Sequence, residues 1–320
     1  MTSEAAFIRA LRAIATDPAA RGLTDDAAVL ELGGARLVLT MDAICEDVHF
    51  LADDPPATVA WKLVATNVSD LAAKGAEPRG CLLSYALTDA DAWNEAFLQG
   101  LQQACEFFAI PLLGGDTVRP KSGAGRNFAL VAFGEPRARM PVPSRSGARS
   151  GDTLWLSAPV GDAGAGLALL QGKRQTDSPA QHQLVDRYRK PMPRVDLGVA
   201  LAPYVTTMMD VSDGVLIDSE RLASASELAA VIQLDKIPLS PAFAEVFGED
   251  LEARLFAASA GDDYCLLFTA ASDAAGALER VARNLHSTLY PVGHFMEGKG
   301  ISLMFDDVAV ATPDRLGFEH

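Results

Sequence analysis

The sequence predicts an α+β protein of two domains. Three observations carry that reading. The chain has 320 residues, about two domains of ordinary size. Its first part mixes strand and helix patterns without strict strand–helix–strand alternation. A stretch rich in Pro, Arg, Ser and Gly, from Pro136 to Gly151, then separates it from the second part. The expected domains are 1–137 and 138–320.

The elements follow in order. Met1 to Ala15 carries Glu4, Arg9 and Arg12 among apolar residues and reads as an amphipathic helix, not a signal peptide. Ala27 to Leu32 and Arg36 to Met41 read as strands joined at Gly33-Gly34, with Asp42 closing the second. Period-2 alternation puts Val38, Thr40 and Asp42 on one face. Thr58 to Lys74 is the clearest helix, with Thr58 as its expected cap and Gly75 as its stop. Asn67, Asp70 and Lys74 form a polar stripe on it. Two readings of that stripe stay open: an exposed Asp70–Lys74 pair, or a carboxylate held near the helix C-terminus by a metal, against the helix dipole.

Gly80 to Thr88 reads as a strand and Asp91 to Ala109 as a helix. Ile110 to Leu113 is a short strand feeding Gly114-Gly115-Asp116-Thr117, and Phe128 to Gly134 is another strand. In the second part, Thr153 to Ala158, Thr206 to Val211 and Leu266 to Phe268 read as strands. Gly161 to Leu170 is a glycine-rich loop entering a helix, without the Lys-Ser/Thr ending of a Walker A loop. Ser212-Asp213-Gly214 turns into a helix, where Asp213 alone would be read as its cap.

The balance of 27 basic against 42 acidic residues gives a net charge of −15. That excludes the broad basic surface needed by nucleic acid or an anionic membrane. No apolar run reaches eighteen residues, so no membrane span is expected. The four cysteines show no C-x-x-C spacing, which fits reduced thiols in a cytoplasmic protein. Asp25-Asp26, Asp42, Asp70, Asp116, Asp210, Asp213 and Asp262-Asp263 all fall near element ends. Carboxylates gathered in space repel one another unless cations lie between them. Hard oxygen ligands suit Mg²⁺, which commonly accompanies phosphates. The arginines of the central stretch read either as a solvated linker or as a clamp on polyphosphate.

Taken together, the motifs resemble the thiamine-monophosphate kinase family along nearly the whole chain. Thr24-Asp25-Asp26-Ala27-Ala28-Val29-Leu30 resembles G-D-D-A-A-x-L, and Thr40-Met41-Asp42 with Asp47-Val48-His49-Phe50 resembles T-T-D…G-V-H-F. Asn67-Val68-Ser69-Asp70-Leu71-Ala72-Ala73 is similar to N-L-S-D-L-A-A, and Gly114-Gly115-Asp116-Thr117 matches G-G-D-T. Arg145-Ser146-Gly147-Ala148, Pro191-Met192-Pro193-Arg194, Asp210-Val211-Ser212-Asp213-Gly214 and Gly261-Asp262-Asp263-Tyr264 complete the series in the family's order.

The resemblance implies a fold shared with aminoimidazole ribonucleotide synthetase and selenophosphate synthetase. Its N-terminal sheet domain pairs with a second copy through its strands, giving a homodimer, and its C-terminal α/β layer closes over the nucleotide. It implies phosphorylation of thiamine monophosphate by ATP with several Mg²⁺ ions. By position, Asp26, Thr40, Met41, Asp42, Asp70, Asp116, Asp210 and Asp213 would hold metal. Gly115, Asp116, Arg145 and Ser212 would face ATP, with His49, Asp262 and Phe318 at the thiamine substrate. Asp42, Asp70, Asp116 and Arg145 would act most directly on the transferred phosphoryl group. Asp25, Asp152 and Asp263 would support.

Some positions depart from the pattern. Thr24 replaces a glycine that can reach positive φ. Met41 replaces a threonine, leaving a backbone carbonyl as ligand. Asp262 is one methylene shorter than the usual glutamate. Other readings of the chain are a synthetase of the same superfamily and a non-catalytic protein that binds divalent ions.

Overall fold

The computed structural model describes residues 4–121 and 125–318. The opening helix α1 spans Glu4–Leu11; the first three residues of the expected helix lie outside the described residues. Strands β1 (Ala28–Leu32), β2 (Ala35–Cys45), β3 (Ala76–Ala86), β4 (Leu112–Val118) and β5 (Asn127–Pro136) form one sheet in the order β1-β2-β5-β3-β4. Every pair in it is antiparallel except β3 with β4.

The sheet has two unlike faces because its strands alternate. Val38, Ile44, Cys81, Phe128, Leu130 and Ala132 point to one side and are buried. Helices α2 (Pro56–Ala73) and α3 (Asp91–Phe107) cover that side. Met41, Val131 and Leu82 are paired in register on the other side, where Met41 is 63% and Leu82 42% exposed.

Helix α2 is the structural centre. Pro56 sits in its first turn, where a missing N–H costs nothing, and Gly75 follows its end at φ 60. Thr58 is not the cap expected from sequence. It lies inside the first turn and donates its hydroxyl to the Pro55 carbonyl at 2.8 Å. Every residue from Val59 to Ala73 is buried, polar ones included. A one-sided amphipathic helix could not be, so α2 must be packed on several sides.

The second half supplies the rest of that packing. Its sheet runs β12-β11-β8-β10-β6-β9-β7, built from β6 (Thr153–Leu156), β7 (Thr207–Asp210), β8 (Ala229–Gln233), β9 (Leu266–Ala270), β10 (Tyr290–Met296), β11 (Gly300–Phe305) and β12 (Val308–Val310). Around it lie α4 (Asp162–Leu170), α5 (Ala180–Arg189), α6 (Val195–Leu201), α7 (Val215–Ala225), α8 (Pro241–Phe247), α9 (Leu251–Ser259) and α10 (Ala275–Asn284). Ala72 and Ala73 of α2 share an apolar cluster with Leu197, Leu201, Met208 and Phe268 from this half. A Cβ at Gly198 would come within 2.0 Å of the Ala72 carbonyl, so α6 approaches α2 backbone to backbone.

Two sequence boundaries shift in ways that matter. Strand β2 continues to Cys45, so Asp42 lies inside a strand, not at its end. Gly114-Gly115-Asp116-Thr117 is not a loop after a strand but part of β4. Gly115 pairs with Leu83, and a Cβ there would lie 1.9 Å from the Leu83 carbonyl oxygen. Glycine is therefore required by the close approach of β3. Among the described residues no helix is long and apolar enough to cross a membrane.

Candidate active site

A cleft of about 1400 Å³ opens between the two halves. Asp26 reaches it from the segment before β1, Asp42 from β2, Asp70 from α2 and Asp210 from the end of β7. Carboxylate oxygens of Asp26, Asp70 and Asp210 lie within 4.8 Å of one another. His49, Arg145, Ser212, Asp213, Asp262 and Phe318 also line the cleft.

The polar stripe of α2 holds this cluster in place. Asn67 accepts the Asp42 backbone N–H at 3.0 Å and donates to the Leu63 carbonyl at 2.9 Å. Ser69 donates to Asp210 at 2.6 Å. The Thr40 hydroxyl donates to Asp70. Lys74 is completely buried and meets Asp25 and Asp26, the latter at 2.6 Å, and donates to the Met208 carbonyl at 3.1 Å. The exposed Asp70–Lys74 pair is therefore not formed; Lys74 serves the acids before β1.

The electrostatics match this crowding. Desolvation, then the Asp26 and Asp213 charges, push the Asp42 carboxyl up to about 6. Desolvation, then Asp26 with other neighbouring carboxylates, push Asp210 up to about 8, although its bond from Ser69 acts the other way. Asp70 is raised well above the carboxylate range by burial and by Asp42, Asp210 and Asp26. Burial would also raise Asp25, but Lys74 and Arg21 hold it below the usual range.

The arrangement fits a divalent cation. The buried Asp26 Oδ2 touches Lys74 as an ion pair but has no aligned hydrogen-bond partner among the described residues. With Asp70 and Asp210 beside it, three carboxylates converge, the donor chemistry that Mg²⁺ takes. Arg145 donates its Nε to the other Asp26 oxygen at 2.6 Å. The central arginine-rich stretch thus places one guanidinium in the cleft.

Not every expected residue joins the cluster. Met41 points its side chain to the uncovered sheet face, away from Asp42. Gly115 and Asp116 lie on the edge strand. Asp42, Leu130, Leu83 and Gly115 form one row across β2, β5, β3 and β4. That row puts Gly115 about 14 Å from Asp42 at the usual strand spacing of roughly 4.8 Å. The next residue, Asp116, is exposed and falls in register with Ser84, Ala129 and Ala43 on the uncovered face. Within one chain it is separate from the acid cluster.

Asp213 is not a helix cap either. It pairs with Arg221 at 2.5 Å, while Gly214 occupies the cap position of α7. Thr24 has φ −122, so the lost glycine required no positive φ. Asp263 accepts the Gly161 N–H, and Asp152 accepts from Arg149 N–H and the Thr206 hydroxyl, both supporting loops as expected.

Two of the three residues expected at the substrate hang on the loop after β7. Asp262 N–H donates to the Ser212 carbonyl at 2.8 Å, and Phe318 N–H to the Asp213 carbonyl at 2.9 Å. The His49 Nδ1 accepts the Cys45 N–H at 3.1 Å, which fixes that nitrogen as unprotonated. Sequence reasoning missed Lys62, Asn67, Ser69 and Arg221 as partners of these acids. For the α2 residues the available signal was Lys62, Asn67 and Ser69 set among apolar neighbours.

Comparison with known proteins gives the family of the chain. The N-terminal domain of AIR synthase related proteins matches residues 24–135, and their C-terminal domain matches 149–306. The thiamine-monophosphate kinase of Caulobacter vibrioides is 38% identical over 310 residues, covering 95% of this chain and 86% of that protein. The crystal structure of the thiamine-monophosphate kinase from Stenotrophomonas maltophilia K279a is 36% identical, with a TM-score of 0.78 over 95% of this chain and 96% of the other. A structure described as AaThiL complexed with AMPPCP and TMP is 29% identical, with a TM-score of 0.85 over 99% and 97%. Two matched domains and relatives alike from end to end lead to one conclusion: the chain belongs to the thiamine-monophosphate kinase family of AIR synthase related proteins.

Proposed function

We propose that this chain transfers the terminal phosphoryl group of ATP to thiamine monophosphate, giving thiamine diphosphate and ADP. The observation that carries the reading is the meeting of Asp26, Asp70 and Asp210 from three separated segments, in a chain whose relatives are thiamine-monophosphate kinases. Asp26, Thr40, the Met41 carbonyl, Asp42, Asp70, Asp210 and Asp213 would hold Mg²⁺. When bound, the ions supply positive charge that offsets and aligns the phosphates of both substrates.

The chain's own residues do the positioning. Arg145, already in the cleft, would turn from Asp26 to the transferred phosphoryl group and stabilise its charge. Ser212 would face the nucleotide. His49, Asp262 and Phe318 would receive the thiamine end, with Phe318 stacking on a ring. The acceptor phosphate oxygen is already an anion, so no strong base and no covalent nucleophile are needed.

The reading includes a homodimer formed through the uncovered face of the first sheet. Exposed Met41, Leu82 and Leu113 support it, because a lone sheet face of that kind calls for cover. It would also give Gly115 and Asp116 a role at the nucleotide phosphates and metal, in a site shared between copies. The domains proposed are 1–137 and 138–320, supported by the confinement of the two sheets to 28–136 and 153–310. The reading places the enzyme in the cytoplasm.

Measuring ADP release from ATP and Mg²⁺, with and without thiamine monophosphate, tests the proposal. Release that depends on thiamine monophosphate supports it. Release only with another acceptor would favour a synthetase of the superfamily, and none with any acceptor would favour a metal-binding role.

A further inference from the structure

Lys62 sits on α2 with its side chain only 2% exposed. Its Nζ donates to Asp262 Oδ2 at 2.7 Å and to the His49 carbonyl at 2.8 Å. It also lies 4.0 Å from the centroid of the Tyr188 ring. These partners occupy the three directions an ammonium can offer. They come from three segments: the loop after β2, helix α5 and the turn before β9. A buried ammonium is tolerated only when its charge and N–H groups are met in this way.

Asp262 is held from its other side too. Tyr264 donates its hydroxyl to Oδ1 at 3.0 Å. The carboxylate cannot rotate without breaking one of the two contacts, yet a carboxylate has about four acceptor directions, so roughly two still face outward. Two neighbouring contacts tie the same seam between the halves: Trp61 Nε1 donates to the Pro191 carbonyl at 2.9 Å, and Arg189 pairs with Asp54 at 2.7 Å.

We propose that Lys62 is a positioning residue for the acceptor substrate, fixing Asp262 of one half against the His49 loop of the other and so setting the shape of that end of the cleft. The inference rests on the phosphoryl-transfer reading above. It assigns Lys62 no contact with the reacting atoms. Its charge offsets that of Asp262, so Asp262 recognises donor groups of the substrate by directed hydrogen bonds from a fixed carboxylate. The nucleotide end of the cleft does not depend on it.

The test compares the full chain with Lys62→Met, Lys62→Arg and Asp262→Asn, and with the Lys62→Met/Asp262→Asn pair. Steady-state rates are taken with thiamine monophosphate and ATP varied separately. Thiamine monophosphate binding is measured by calorimetry with Mg²⁺ and a nonhydrolysable ATP analogue. Lys62→Met should raise KM and Kd for thiamine monophosphate about tenfold while leaving KM for ATP within about twofold. Lys62→Arg should recover part of the loss, and the double variant should lose less than the two single changes combined. Lys62→Gln, which keeps a donor for the His49 carbonyl, replaces Lys62→Met should that variant not fold. If the wild-type chain forms no thiamine diphosphate, the functional reading fails. If it does, and the neutral variants keep wild-type affinity for thiamine monophosphate or weaken both substrates equally, the role given to Lys62 fails alone.

Discussion

Lys74 Nζ and Asp26 Oδ2 face each other at 2.6 Å, with neither side chain exposed to solvent. The lysine is the C-cap of α2 and the aspartate comes from the segment before β1. Lys74 is thus a fixed cation inside a cluster that otherwise consists largely of acids. It holds Asp25 and Asp26 while their neighbours Asp70 and Asp210 remain open to an ion.

Replacing Lys74 by Met should be costly. Removing one partner of a buried ion pair leaves the other charge uncompensated and commonly costs about 3–5 kcal/mol. Urea unfolding without metal should show a loss of that order. Saturating Mg²⁺ should return part of it by binding the folded state. An unchanged midpoint would mean that Asp25 and Asp26 do not need this cation.

Asp70→Asn should separate stability from activity. Asp70 is buried among like charges, so a neutral amide relieves repulsion and should raise the melting temperature of the metal-free protein. The same change removes a proposed ligand, and kcat should fall on the order of a hundredfold or more. Calorimetry for stability and coupled ADP assay for rate check the two halves; wild-type turnover would overturn the metal role of Asp70.

The metal-free protein should become less stable as pH rises. Asp42 is raised to about 6 and Asp210 to about 8 in the folded state. The folded chain therefore binds more protons than the unfolded one between about pH 4 and pH 8, and stability falls across that window. Glu46, lowered to about 2, acts the other way, but only up to its ordinary value near 4.5 at the foot of this window. Differential scanning calorimetry in chelator should give a higher melting temperature near about pH 5 than near about pH 8, and excess Mg²⁺ should remove most of the difference. Equal melting temperatures in chelator would contradict the charge crowding.

Leu82→Glu should leave the fold intact and disrupt association. Leu82 is 42% exposed on the uncovered sheet face, so a charge costs the single chain little. Buried between copies, the same charge would be unpaired. Sedimentation should show wild-type dimers and variant monomers, with activity falling alongside. A dimeric variant would place the contact elsewhere.

Much of this was legible along the chain. Strand alternation put Thr40 and Asp42 on one face, and the pattern of Thr58 to Lys74 announced α2. Gly75 marked its end, where the backbone takes φ 60. The order of the acidic motifs gave the family. What misled was local reasoning about partners. Lys74 lies four residues after Asp70, the spacing of a surface helix pair, yet α2 is covered on several sides and Lys74 turns to residues nearly fifty positions away. Asp213 had the position of a cap, but the long side chain of Arg221 reached it instead.

The sequence by itself determined the element types of the first part, the two-part organisation and the set of residue types that phosphate chemistry requires. Periodicity and motif order depend on neighbours along the chain, so they can be read there. Only the tertiary structure decided that Asp26, Asp70 and Asp210 converge, that Lys74 and Lys62 are buried counter-cations, and that Asp116 stands apart on the far edge of its sheet. Those outcomes follow from the packing of α2 between two sheets. Burial there raises the cost of every unpaired charge and so dictates which distant groups must meet.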